Sequence, residues 1–134
     1  MFIERLLNQG NAPRLEQTLK FTAARQKLLT ENVANVDTPG YRQKDLSVEK
    51  FQAMLRERVE DRRDASPGER VRFEDVAGEV ETPPRGILFH DGNNRSMEQL
   101  MSDGAKNAMM HNLVIELLRK QFGALEAALK ERVG

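Results

Sequence analysis

Apolar residues recur every three or four positions along two long stretches of this chain, and between them the pattern breaks up. In the first stretch Leu15, Leu19, Thr22, Gln26, Leu29, Val33 and Val36 alternate steps of four and three, a heptad-like seam weakened by Thr22 and Gln26. Pro13 suits the first turn of such a helix and Asn11 its N-cap. Ahead of it, Phe2, Ile3, Leu6 and Leu7 keep helical spacing, but Gly10-Asn11-Ala12-Pro13 interrupts them, and a piece that short is unstable alone in water. The second seam is longer: Met97, Met101, Gly104, Ala108, His111, Ile115, Leu118, Phe122, Leu125 and Leu129. Ser96, with Gln99 three residues on, forms a capping box at its start. A neighbouring face carries Met110, Leu113, Leu117, Ala124 and Ala128, so this helix needs more than one partner surface.

The two arms differ in length. Pro13 to Asn35 spans about 35 Å as a helix and Met97 to Arg132 about 54 Å. One cannot cover the other, which leaves Leu118, Phe122 and Leu125 past a simple in-register pairing. The surplus apolar surface must meet the Phe2 to Leu7 segment, other subunits, or both.

Between the arms the chain turns at Asn32-Val33-Ala34-Asn35-Val36-Asp37-Thr38-Pro39-Gly40-Tyr41. Asn35 tolerates a left-handed C-cap, and Pro39 pushes Thr38 away from helical geometry, so the helix stops near Asn35 or Val36. Pro39 presets the second position of a turn, and Gly40 accepts the positive φ that a type II turn demands next. Ser47 is a good N-cap for a short amphipathic helix through Val48, Phe51, Met54, Leu55 and Val59. The dense charges from Arg56 to Asp64 read as a solvated helix end or linker. From Arg70 to Phe89 the sequence fits an irregular loop better than a small hairpin. Asp91-Gly92-Asn93-Asn94 is a turn signal.

Composition narrows the function. At 134 residues, with 5% aromatics, no tryptophan and 31% charged residues, the chain supports an elongated helical protein with a modest core. Lys plus Arg and Asp plus Glu balance at 21 each, which removes the net basic field that nucleic acid or an anionic membrane requires. There is no cysteine, hence no disulfide or thiolate chemistry. Neither a signal-peptide core nor a stretch apolar enough to cross a bilayer is present in the sequence.

Arg25-Gln26, then Asn32-Val33-Ala34-Asn35, then Asp37-Thr38-Pro39-Gly40-Tyr41 closely resembles the amino-terminal signature of the bacterial flagellar basal-body rod proteins, and within that family its short proximal-rod members. Asp91-Gly92-Asn93 resembles the string that precedes their carboxy-terminal helix. The sequence departs from the family at Asn94-Arg95-Ser96, which is more polar than usual, and at Met110-His111, where an aromatic residue is common. The resemblance implies a structural subunit whose terminal helices pair and pack with neighbours in a tubular axial polymer. It also implies a location in the periplasmic rod of the basal body and export without a cleaved signal by the flagellar type III apparatus. The implied partners are other copies of the chain, other rod proteins and the protein joining the membrane ring to the rod.

No catalytic or cofactor constellation stands out. His90 and His111 lack metal-ligand spacing, no nucleophile motif or phosphate loop is present, and Met97, Met101, Met109 and Met110 read as ordinary packing. Gly104 fits either a close helix approach or simple tolerance. The expected fold is mainly α, with long terminal helices in a coiled-coil-like antiparallel bundle, a short third helix and an irregular or small β middle. Residues 1–47 form the amino-terminal arm with its turn, 48–90 the middle and 91–134 the long helix, all one structural domain. The family motif residues are Asn32, Asn35, Asp37, Thr38, Pro39, Gly40 and Tyr41, and the assembly seam comprises Leu15, Leu19, Leu29, Val33, Met101, Gly104, Ala108, Ile115, Leu118, Phe122, Leu125 and Leu129. The expected function is a non-enzymatic rod subunit without cofactor, small-molecule substrate or nucleic acid. The alternatives are a helical adaptor or export chaperone and, disfavoured by the neutral charge, a helix-turn-helix DNA binder.

Overall fold

Ser47 and Ser96 each begin a helix as their sequence context demands: Ser47 Oγ accepts the Lys50 N–H at 3.2 Å and Ser96 Oγ the Gln99 N–H at 3.2 Å. In the computed structural model, which describes residues 12–66, 88–90 and 95–133, the elements are α1 (Ala12–Ala34), β1 (Lys44–Leu46), α2 (Val48–Asp64), β2 (Leu88–His90) and α3 (Met97–Val133). The fold is mainly α, with long first and last helices. The charge run closes α2 as helix through Asp64, where Arg62 and Arg63 in the last turn suit the negative end of the helix dipole.

Helices α1 and α3 pack antiparallel. Thr22 meets His111 and Gln26 meets Asn107, so each step up α1 is a step down α3, and Ala12 falls level with Gln121. Leu118 therefore lies level with Leu15, within the reach of α1 and not past it as the arm lengths suggested. A small apolar core forms on another side of α1, where Phe21, Leu46 and Phe51 are buried and Ala24, Leu28, Val48, Met54 and Leu55 pack around them. The Phe21 and Phe51 rings stack with centroids 4.1 Å apart, a geometry that aromatic pairs favour when offset.

The sequence offered no strand near residue 45, and the loop was the favoured reading for the approach to Phe89. Instead β1 and β2 pair antiparallel, with Lys44 opposite His90, Asp45 opposite Phe89 and Leu46 opposite Leu88. Three-residue strands leave no period to detect, because alternation needs four or more residues to show. The expected N-cap Asn11, the Phe2 to Leu7 segment, most of the Arg70 to Phe89 stretch and the Asp91 to Asn94 turn lie outside the described residues.

Candidate functional site

The turn after α1 has the expected reversal. The Tyr41 N–H bonds to the Thr38 carbonyl at 3.2 Å, and Gly40 has φ of +74°. The helix stop is reached differently. Asn35 is not left-handed, since among the described residues no amino acid other than glycine has positive φ. Instead the Asn35 N–H and side-chain amide both donate to the Glu31 carbonyl, at 3.0 and 2.9 Å, and the Thr38 N–H donates to the Asn35 carbonyl at 3.0 Å. The Glu31 and Asn35 carbonyls at the helix end are thereby satisfied without a left-handed residue. Thr38 Oγ1 adds a bond to Asn35 Oδ1 at 3.2 Å, while Asp37, Thr38, Pro39 and Gly40 remain exposed.

A Cβ built on Gly40 meets nothing within 4 Å, so any substitution there is penalised by backbone conformation alone. Gly40→Val is expected to destabilise the turn by about 1–2 kcal/mol, and Gly40→Asn by less, because asparagine visits left-handed geometry and β-branched residues resist it. Denaturant melts of the two variants check the ranking; equal midpoints would show that the positive φ carries no cost.

Asn32 turns out to be the pin of this region. It is 1% exposed; its amide donates to the Lys44 carbonyl at 2.7 Å, and its Oδ1 accepts from the Lys44 N–H at 3.0 Å and the Tyr41 hydroxyl at 3.4 Å. A primary amide carries a donor and an acceptor side by side, so it pairs with both main-chain groups of Lys44 as a neighbouring strand would. Burial, then the Glu31 carboxylate, push the Tyr41 phenol up, which keeps its proton available for that bond.

Just beyond, a buried ionic clasp joins three parts of the chain. Asp45 is held by Arg25 of α1 (Nε to Oδ1 2.8 Å, Nη2 to Oδ2 3.2 Å) and by Arg95 (Nη1 to Oδ2 2.8 Å), which also bonds Asp103 of α3 at 3.0 Å. Gln43 locks the same junction, its amide donating to the Arg95 carbonyl at 3.1 Å and its Oε1 accepting the Arg95 N–H at 2.8 Å. Burial alone pushes the Asp45 carboxyl up, but the hydrogen bonds from Arg25 and Arg95, the charge of Arg25 and the Leu46 N–H together hold it below the usual carboxylate range. Gln43 and Asp45 went unremarked in the sequence because each looks like a surface residue; Arg25 entered only as a letter of the motif and Arg95 only as part of a polar departure from the family.

Between α1 and α3 the contact is partly polar. The Asn107 amide donates to the Thr22 carbonyl at 2.9 Å and to Gln26 Oε1 at 2.8 Å, and Thr22 Oγ1 lies 2.7 Å from His111 Nδ1. Asn107 is buried together with Leu100 and Val114 on α3, and these three alternate with Gly104, His111 and Leu118. The line that packs on α1 is thus one residue off the expected seam at every second position. Apolar spacing passes over Asn107, yet its partners make it a packing residue.

The expected seam residues accordingly divide. Leu29 is buried; Leu15, Leu19, Val33, Gly104, Ala108, Ile115, Leu118, Leu125 and Leu129 are half-buried; Met101 and Phe122 are exposed, at 60% and 50%. At Gly104 an added Cβ would meet only the Gln26 amide, at 4.0 Å, so no close helix approach within the chain requires glycine there. Met97, Met109, Met110, Leu113 and Leu117 are exposed as well, which corrects the reading of the methionines as internal packing. Such a run of apolar side chains on one helix marks a surface built to be covered. Among the described residues no group of three or more His, Cys, Asp or Glu is placed to hold a metal, and no helix is long and apolar enough to cross a membrane.

The family described as flagella basal body rod protein matches residues 15–42, which hold most of α1 and the whole turn. Flagellar basal body rod protein FlgB of Bacillus subtilis (strain 168) is 28% identical over 127 residues, spanning 92% of this chain and 95% of the relative. The FlgB proteins of Escherichia coli (strain K12) and of Salmonella typhimurium (strain LT2) are each 25% identical over 126 residues, spanning 86% of this chain and 89% of the relative. In the motif turn and nearly end to end with these relatives, the chain is similar to the flagellar basal body rod proteins.

Proposed function

We propose that this protein is a structural subunit of the proximal rod of the bacterial flagellum, a non-enzymatic part that joins the membrane ring to the drive shaft. The observation that carries this reading is the similarity to FlgB proteins along both helical arms, together with large apolar side chains that α3 leaves exposed on more than one side. A subunit of an axial polymer needs such surface, because it must be buried in every copy against its neighbours. The partners are other copies of this chain, other rod proteins and the ring-to-rod junction protein. The place of action is the periplasmic rod of the basal body, reached through the flagellar type III export apparatus with no signal removed. Asp45 and His111 are engaged in the clasp and in the contact between α1 and α3, which suits a part that transmits torque.

Deletion of the gene in its flagellated host tests the reading. Basal bodies without rods and non-motile cells, both restored by the wild-type copy, are expected. Rods and motility of normal appearance in the deletion strain would overturn it.

A further inference from the structure

Charge is not spread evenly over this fold. The chain carries 21 basic and 21 acidic residues, yet one long groove is lined by bases and, among the described residues, by no carboxylate. It runs along α1 where α2 and α3 flank it, as two adjoining stretches of about 500 and 460 Å³ that share Arg14, Thr18 and Leu55. The bases are Arg14, Arg25, Arg56, Lys106 and Lys120. Arg25 already serves Asp45. Arg56 on α2 and Lys106 and Lys120 on α3 are exposed and form no ion pair among the described residues, so their charge acts on whatever enters the groove.

The floor between these bases is apolar. Phe21 and Phe51 stack in it, Leu55 continues it, and Met110 and Leu117 stand exposed along its α3 side. From Arg25 to Arg14 the groove follows α1 for about 16 Å, the length of about three helical turns. An apolar strip of that length between two basic rims is the complement of a helix with an apolar stripe and carboxylates on both flanks. A small anion would leave the strip bare, and a bilayer surface is too flat to reach a strip set between helices. The chain's own helices do not supply the complement either. Helix α1 has four bases against two acids, and α2 and α3 have five of each, so a second copy would set bases against bases.

We propose that this groove is a docking site for an acidic amphipathic helix of a different protein. The apolar stripe of that helix lies on Phe21, Phe51, Leu55, Met110 and Leu117, and its carboxylates face Arg56 on one rim and Lys106 and Lys120 on the other. Apolar burial holds the partner, and the charges set which partner is accepted. The site goes beyond the rod reading and is tested on the purified chain, so its failure leaves that reading untouched.

Two dye-labelled helical peptides of about 18 residues, five turns, serve as probes. They share one leucine stripe and differ in having glutamate or lysine along its flanks. Titrated with the full chain and read by fluorescence anisotropy, the glutamate peptide is expected to bind at least about tenfold more tightly, with the gap narrowing as salt is added. Arg56→Glu combined with Lys106→Glu is expected to invert that preference. Both sites are exposed, so the variant keeps its helices, which circular dichroism checks. Lys27→Glu, outside the groove, is expected to leave the preference unchanged. Equal binding of the two peptides, or an unchanged preference in the double variant, would overturn the proposal. So would a dimer of the unmodified chain in sedimentation that the double variant loses, which would assign the groove to a second copy.

Discussion

Cells carrying Phe122→Asp are expected to secrete the protein and build no rods. Phe122 is 50% exposed on α3, so an aspartate there costs the single chain little beyond helix propensity, about 0.5 kcal/mol. In the polymer the same position is expected to be dry. A charge removed from water without a partner costs several kcal/mol, and the cost recurs in every subunit, so growth stops while the monomer keeps its helices. Measuring secretion and rods separately gives the decision. Export without rods supports a contact between subunits at Phe122; rods of normal length would place Phe122 in solvent and limit the α3 interface to its other exposed apolar residues.

The largest effect on the chain itself is expected at Asp45. Its side chain is 5% exposed and faces two guanidinium groups that are themselves mostly buried, Arg25 and Arg95. Asp45→Ala leaves both cations without their central anion, and breaking a buried pair in this way costs about 3–5 kcal/mol, a large share of the stability of a small domain. Asp45→Asn keeps the shape and one acceptor oxygen and is expected to recover part of that loss. The same carboxylate sets an acid limit. Its folded pKa lies below the ordinary value of 3.8, so its stabilisation is fully present above that value and is lost as the pH falls below it toward the folded pKa. Chemical melts at pH 7 and across the range below about pH 4 read both effects. An Asp45→Ala protein that melts with the wild type at pH 7 would show that the clasp is only a surface ion pair.

The local chain determined the helices and their ends. Ser47 and Ser96 bond the amides three residues on because an N-cap needs only a side-chain oxygen and the next turn of backbone. Gly40 takes positive φ because Pro39 before it fixes the turn, again within four residues. The pairing of the terminal arms followed from periodicity, and the motif string pointed to the family. What the sequence could not supply was the work of its polar residues. Asn32 reaches Lys44, Asp45 joins Arg25 to Arg95, and Asn107 bonds Thr22 from 85 residues away, and only folding brings these groups together. Apolar spacing treats such residues as surface, which is why the seam on α3 was phased through Met101 and Phe122 when Leu100, Asn107 and Val114 carry the contact. A polar side chain becomes a core residue when its partner is already in place to satisfy it, and that partner is a property of the tertiary structure.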